Sequence, residues 1–212
     1  MISRQRKAGA RAAPAAGRRR LILIAALLAL SACGSLPTPA DSPPPARRDS
    51  LRNFSLAGRF SLHHEDHSYI GQISWRHDDG SDELLLSSPL GQALAEIVSE
   101  PGGARLTGSD GRVRQAASAE ELLQSVVGYP LPLHKLNDWV RGGSAGSGQL
   151  TADALGRPLR LQDQGWRIAY EYDDDDDPQA LPGRLFIELE SVLELRLRID
   201  EWRPLPAAKP TP

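Results

Sequence analysis

Cysteine is almost missing from this 212-residue chain, with Cys33 as the single copy. One thiol excludes an internal disulfide, an all-cysteine zinc site and an iron–sulfur cluster, each of which needs at least two thiols from the same chain. Long hydrophobic runs are missing too. The run Leu21 to Leu30 rises only ~15 Å as a helix, about half of a bilayer core. No G-x-x-x-x-G-K-[ST] stretch occurs, so nucleotide hydrolysis has no phosphate cradle. With 40% hydrophobic residues, the chain suits one globular domain resting on its apolar core.

The net charge of -2 hides an uneven distribution. Positions 1–32 hold seven of the 25 basic residues and none of the 27 acids, so the rest of the chain keeps 18 basic residues and a formal charge of -9. A body this acidic, with its arginines scattered, offers phosphates no basic stripe, which argues against nucleic-acid binding.

The basic residues end at Arg20, the apolar run follows, and Ser31 and Ala32 precede Cys33. Positive n-region, short h-region and small residues at the cut form a secretory signal. Leu30-Ser31-Ala32-Cys33 resembles a bacterial lipobox, in which the Cys thiol receives a diacylglycerol and the new amine is acylated after cleavage. Roughly 40 acyl methylenes at ~0.8 kcal/mol each give tens of kcal/mol of membrane preference. In bacterial lipoproteins an Asp after the acylated Cys signals inner-membrane retention. Gly34 stands there, which implies the outer membrane. Gly34 to Arg48 contains Pro37, Pro39, Pro43, Pro44 and Pro45 and reads as an extended tether.

From Phe54 the chain alternates with period two. Phe54, Leu56, Phe60 and Leu62 share one face, and the pattern returns at Ile73 and Trp75, over 84–87, over 93–98, and near Leu106 and Val113. It resumes at Leu159 and Leu161, from Trp166 to Tyr172, from Leu185 to Leu189, and most clearly at Leu193, Leu195, Leu197 and Ile199. Roughly ten short strands joined by Gly, Asp and Pro turns predict a largely antiparallel sheet. Two helices interrupt it. Ser118 and Glu121 form a capping box ahead of Leu122, Leu123, Val126 and Val127, and a second helix is expected from Pro132 to Val140. Twisted strands curl toward a barrel that such helices can cap, over either a packed core or an apolar cavity.

Three chemical motifs are weaker than they look. His63, His64, Glu65, Asp66 and His67 offer zinc-type ligands but fall where a polar hairpin loop is expected anyway. Gly142-Gly143-Ser144-Ala145-Gly146 matches the hydrolase elbow without the strand-turn-helix context it requires. Asp173 to Asp177 lacks the spaced ligands and turn glycine of a calcium loop. Ser88-Pro89-Leu90-Gly91 is odder, because a turn tip normally carries polar side chains. A leucine held in water there costs about 2 kcal/mol relative to burial, so Leu90 either folds back onto the sheet or probes a membrane.

The lipobox, the segment Leu84 to Gly91, and Gly128-Tyr129-Pro130-Leu131-Pro132 followed by Leu136 and Trp139 together resemble the LolB family of outer-membrane lipoproteins. The resemblance implies a mainly β fold, an unclosed antiparallel β-barrel with a short helical lid over an apolar cavity for acyl chains. It implies a non-enzymatic protein that accepts cargo lipoproteins from a LolA-like periplasmic carrier and inserts them into the outer membrane. Leu90, flanked by Pro89 and Gly91, matches the family's membrane-transfer loop. The expected lining is Phe60, Ile73, Trp75, Leu86, Leu123, Val127, Leu136, Trp139, Trp166 and Leu197. The expected organisation is a signal peptide over 1–32, the acylated Cys and tether over 33–50, the barrel over 51–205 and a flexible tail over 206–212. We expect a monomer facing the periplasm, with no metal and no cofactor beyond the covalent lipid at Cys33. The alternative is a solidly packed structural or protein-interaction lipoprotein of the envelope.

Overall fold

The computed structural model describes residues 47–206 apart from 79, 145 and 147. The signal segment and Cys33 lie outside the described residues, as does most of the tether and of the tail.

Among the described residues, eleven strands form one antiparallel sheet. Six come first: β1 (Phe54–His64), β2 (His67–Asp78), β3 (Ser81–Ser87), β4 (Ala93–Glu100), β5 (Gly103–Gly108) and β6 (Val113–Ala116). Two helices follow, α1 (Ala119–Val127) and α2 (Leu133–Val140). The chain then returns through β7 (Gln149–Ala152), β8 (Pro158–Asp163), β9 (Trp166–Glu171), β10 (Arg184–Leu189) and β11 (Leu193–Pro204). The spatial order is β6-β5-β4-β3-β2-β1-β11-β10-β9-β8-β7. Each half is therefore a meander. The first and last strands join the halves, from Phe54 opposite Pro204 to His64 opposite Leu193.

This order explains the lid. The chain leaves the sheet at one edge, β6, and re-enters at the other, β7, so its connection must cross the open side, and that connection is helical. Among the described residues the two edges do not pair with each other, so the barrel is unclosed.

The alternation seen in the sequence becomes burial. Leu193, Leu195, Leu197 and Ile199 of β11 point inward, and Phe54, Leu56 and Leu62 do so from β1. Phe54 meets Trp75 and Trp202 edge to face, with ring centroids 5.5 and 5.3 Å apart. β1 and β2 pair through Gly71 opposite Phe60, where a Cβ would run into the carbonyl oxygen of Ser87 and the ring of Phe60. The aromatic ring covers the gap that the missing side chain leaves.

The outer face of β1, β9, β10 and β11 is laced with exposed ion pairs, among them Arg59–Asp200, Arg167–Glu188 and Arg184–Glu171. Each sits in water, where screening and side-chain entropy leave an exposed pair little net stabilisation. The acidic run Asp173 to Asp177 is held rather than loose. Buried Arg157 donates to the carbonyl oxygen of Asp174 at 2.6 Å and to Asp153 at 2.8 Å, and its guanidinium lies 4.2 Å from the ring centre of Tyr172. Burial pushes the Tyr172 hydroxyl up to about 12, and it donates to the carbonyl oxygen of Pro158 at 2.7 Å.

Candidate functional site

Beneath the two helices lies an apolar hollow of about 60 Å³. The capping box forms as expected on one side, with the Ser118 hydroxyl accepting from the Glu121 amide, and α1 ends at Gly128. Its inner stripe presents Leu123 and Val127, while Leu133 and Leu136 of α2 and Leu131 between the helices complete the roof. The floor is Leu56, Phe60 and Leu62 of β1, Ile73 and Trp75 of β2, Leu84 and Leu86 of β3, and Leu195, Leu197 and Ile199 of β11. Arg198 also touches the space, but its guanidinium is engaged with the Asp173 carboxylate at 2.6 Å. The lining thus offers no carboxylate, hydroxyl or imidazole, and what it can do chemically is hold hydrocarbon.

Eight of the ten residues named from sequence surround this space: Phe60, Ile73, Trp75, Leu86, Leu123, Val127, Leu136 and Leu197. Trp139 and Trp166 do not. They pack against each other, ring centres 5.4 Å apart, in solid core beside the hollow, and Trp166 also meets Tyr129. Inward parity placed them correctly on the inside face and could not tell filled core from void. The residues that sequence reading left out, among them Leu56, Leu84, Leu195 and Ile199, carried the same alternating signal on β1, β3 and β11.

Size limits what the hollow can do as it stands. A cavity of about 150 Å³ holds one benzene, so 60 Å³ has no room for an acyl chain. The half-exposed residues Ile73 and Leu86 mark where the wall thins, and Leu86 leads along β3 toward Leu90. Leu84 is buried, Leu86 half-buried, and Leu90 is 92% exposed.

Leu90 sits in a turn built to hold it out. Pro89 and Leu90 occupy the corners, the Gly91 amide donates to the Ser88 carbonyl oxygen at 2.9 Å, and Ser88 and Gln92 close the loop at 2.8 Å. Gly91 takes φ +83°, which favours a residue without Cβ. The Gln72 side chain donates to the Pro89 carbonyl oxygen from β2 at 3.2 Å. The reading in which Leu90 folds back onto the sheet is therefore overturned.

A polar cluster fixes the roof at its other end. The Trp75 ring lines the hollow while its Nε1 donates to Asp82 at 2.7 Å. His77 Nδ1 lies 2.8 Å from the same carboxylate oxygen, and the Asn137 amide of α2 lies 2.7 Å from His77 Nε2. No local pattern encodes this link, because Asn137 lies 60 positions from His77. The histidine cluster, by contrast, disperses. His63 faces Glu194 across the strands, His64 contacts the carbonyl oxygen of Val192 at 2.9 Å, and His67 stacks on Tyr69. Among the described residues no group of three or more such side chains is placed to hold a metal ion.

The family described as "Outer membrane lipoprotein LolB" matches residues 52–202. The outer-membrane lipoprotein LolB of Dechloromonas aromatica is 40% identical over 194 residues, covering 89% of this chain and all of that protein. That of Azoarcus sp. is 38% identical over 174 residues, covering 82% and 89%. Among solved structures, a LolA superfamily protein from Nitrosomonas europaea aligns with a TM-score of 0.47 at 13% identity, covering 74% of this chain and 89% of that one. Among the described residues no helix is long and apolar enough to cross a membrane.

Proposed function

The chain belongs to the LolB family of outer-membrane lipoproteins, and from that membership we propose that it accepts acylated lipoproteins from a soluble LolA-like carrier and releases them into the outer membrane. The observation that carries this reading is the apolar gradient from the hollow through Leu86 to Leu90. Acyl chains released into water would lose about 0.8 kcal/mol per methylene, so handover must keep them covered throughout. Mouth-to-mouth docking with the carrier meets that need, and net movement follows if this site binds acyl chains more tightly than the carrier and the bilayer binds them more tightly still. Anchorage through lipid on Cys33 would keep the domain at its destination.

Loading requires the hollow to grow. The element that moves is α1, which rests on Leu122, Leu123 and Val127, because sliding apolar contacts apart over an incoming hydrocarbon replaces one burial with another. The apolar lining is suited to holding hydrocarbon, which is what the transport role asks of it.

The test is transfer itself. Carrier loaded with an acylated lipoprotein, mixed with an unacylated Cys33→Ser form, should surrender its cargo; cargo that stays on the carrier sinks the receptor reading. Leu90→Glu should still accept cargo and should deliver it poorly to liposomes, because a carboxylate resists entering hydrocarbon. The small volume favours one competitor, a packed envelope lipoprotein that binds a protein partner. An apolar fluorescent probe separates the two, since a core that never opens leaves it dark.

A further inference from the structure

The two halves of the sheet differ on their outer faces. Where β1, β9, β10 and β11 carry ion pairs, the β2–β6 part of the sheet carries exposed apolar side chains around the Leu90 turn. Ile70 of β2 is 63% exposed, Val113 of β6 56% and Leu94 of β4 45%. The register puts Ile70 and Val113 on the same outer face and at the same end, and Leu94, at the irregularity beside Ser87, joins them by alternation with buried Ala95. Ile70 lies two residues beyond Gln72, whose side chain holds Pro89. Leu94 alternates with buried Ala95, and its carbonyl oxygen accepts from the Ser109 amide of the next hairpin. Val113 stands opposite Thr107, beside buried Leu106. The nearby turn charges Asp110 and Arg112 pair with each other at 3.3 Å, Gln72, Ser87, Gln92 and Thr107 add no charge, and Glu96, opposite Thr107 and Leu85, places a carboxylate at the inner margin of the patch.

We infer that Ile70, Leu94 and Val113 form a landing platform that lies against the phospholipid surface of the outer membrane when Leu90 enters it. The inference rests on the membrane-delivery reading above and extends it from one loop tip to a sheet face. Scattered apolar side chains on a surface need no explanation, but a set gathered at one end of one face does. Continuity with the Leu90 tip selects lipid as the occupant. Leu94 lies four residues behind Leu90, about 13 Å at most along an extended chain, and the turn shortens this toward the 5–10 Å to which interfacial elements sink. A leucine buried to that depth brings its flanks to the headgroup boundary. Contact at three strands would fix the tilt of the barrel and aim the thin wall at Ile73 and Leu86 toward the bilayer.

The experiment places one environment-sensitive fluorophore on Cys33→Ser protein carrying Ile70→Cys, Leu94→Cys, Val113→Cys, Leu90→Cys or Leu150→Cys, and adds phosphatidylethanolamine and phosphatidylglycerol vesicles. Leu150, 45% exposed on β7 at the far edge, is the control. Emission should rise severalfold and shift to the blue at positions 70, 90, 94 and 113 and stay at its aqueous value at 150. A response at 90 alone overturns the platform and leaves membrane delivery standing. Silence at all positions, 90 included, removes the delivery reading with it. An equal response at 150 means unoriented adsorption and also overturns the platform.

Discussion

The two helices over the hollow are nearly equal in length and both turn leucines inward, yet they are fastened in different ways. α2 is bolted at several points. Lys135 reaches the fully buried Asp163 carboxylate at 3.1 Å and Gln164 at 2.7 Å, Asn137 meets His77, and Arg141 donates to the Leu51 carbonyl oxygen at 2.9 Å. Trp139 and Val140 are fully buried at its end. α1 has an apolar underside, an exposed contact between Ser125 and Arg114 at 3.2 Å, and one between Glu120 and His134 of α2 at 3.1 Å. Directional bonds lose their full strength at small displacements, whereas apolar contact is non-directional and can be exchanged for contact with another apolar body. On this difference rests the proposal that α2 belongs to the wall and α1 is the leaf that lifts.

The strongest blow to that contrast comes from the fixed side. Trp139→Ala should cost about 3–5 kcal/mol of stability by opening a cavity in packed core, read from the denaturant midpoint. Lys135→Ala should follow at about 1.5–3 kcal/mol, because it takes a charged donor away from a buried carboxylate; a loss no larger than that of a surface change would show α2 to be as loosely held as α1. Next comes native-state hydrogen exchange, in which amides of 123–127 should open at lower free energy than those of 136–140, and the reverse order would break the comparison outright.

Acid sharpens it further. Burial opposes ionisation of Glu120, but the His134 side chain and backbone bonds outweigh it and hold the carboxyl below its ordinary 4.5. A depressed carboxyl contributes stability that is present above the ordinary value and is lost as pH falls through the lower folded one. Protection of α1 relative to α2 should therefore decline below pH 4.5, and Glu120→Gln should flatten that decline. The smallest effect belongs to Ser125→Ala, at under about 0.5 kcal/mol.

Much of this architecture was legible because period-two burial is written directly into the residues. Leu193 to Ile199 specify a strand and its inner face, Ser118 and Glu121 specify where α1 begins, and Pro89 with Gly91 specify the turn that exposes Leu90. β7 escaped. Gln149-Leu150-Thr151-Ala152 is exposed throughout, carries one large apolar residue, and is a strand only because β8 lies beside it. The fate of Trp139 and Trp166 escaped for another reason, since a void and a filled core present the same parity along a strand or helix. The bolts of α2 join Lys135 to Asp163 and Arg141 to Leu51, separations that no local pattern encodes.

The pairing of β1 with β11 sends both described chain ends out of one end of the sheet, while the Leu90 turn points the other way, since β3 runs in the same direction as β1. Ser87 sits level with Arg59 through Gln72, which sets Leu90 roughly 25 Å beyond Phe54 along the strands. A domain moored at its stern must therefore swing round before its bow touches the same shore. Residues 34–50 can be drawn out to at most roughly 60 Å, enough rope for the turn. A mooring line cut shorter than the hull would hold the working end clear of the very bilayer to which it is tied.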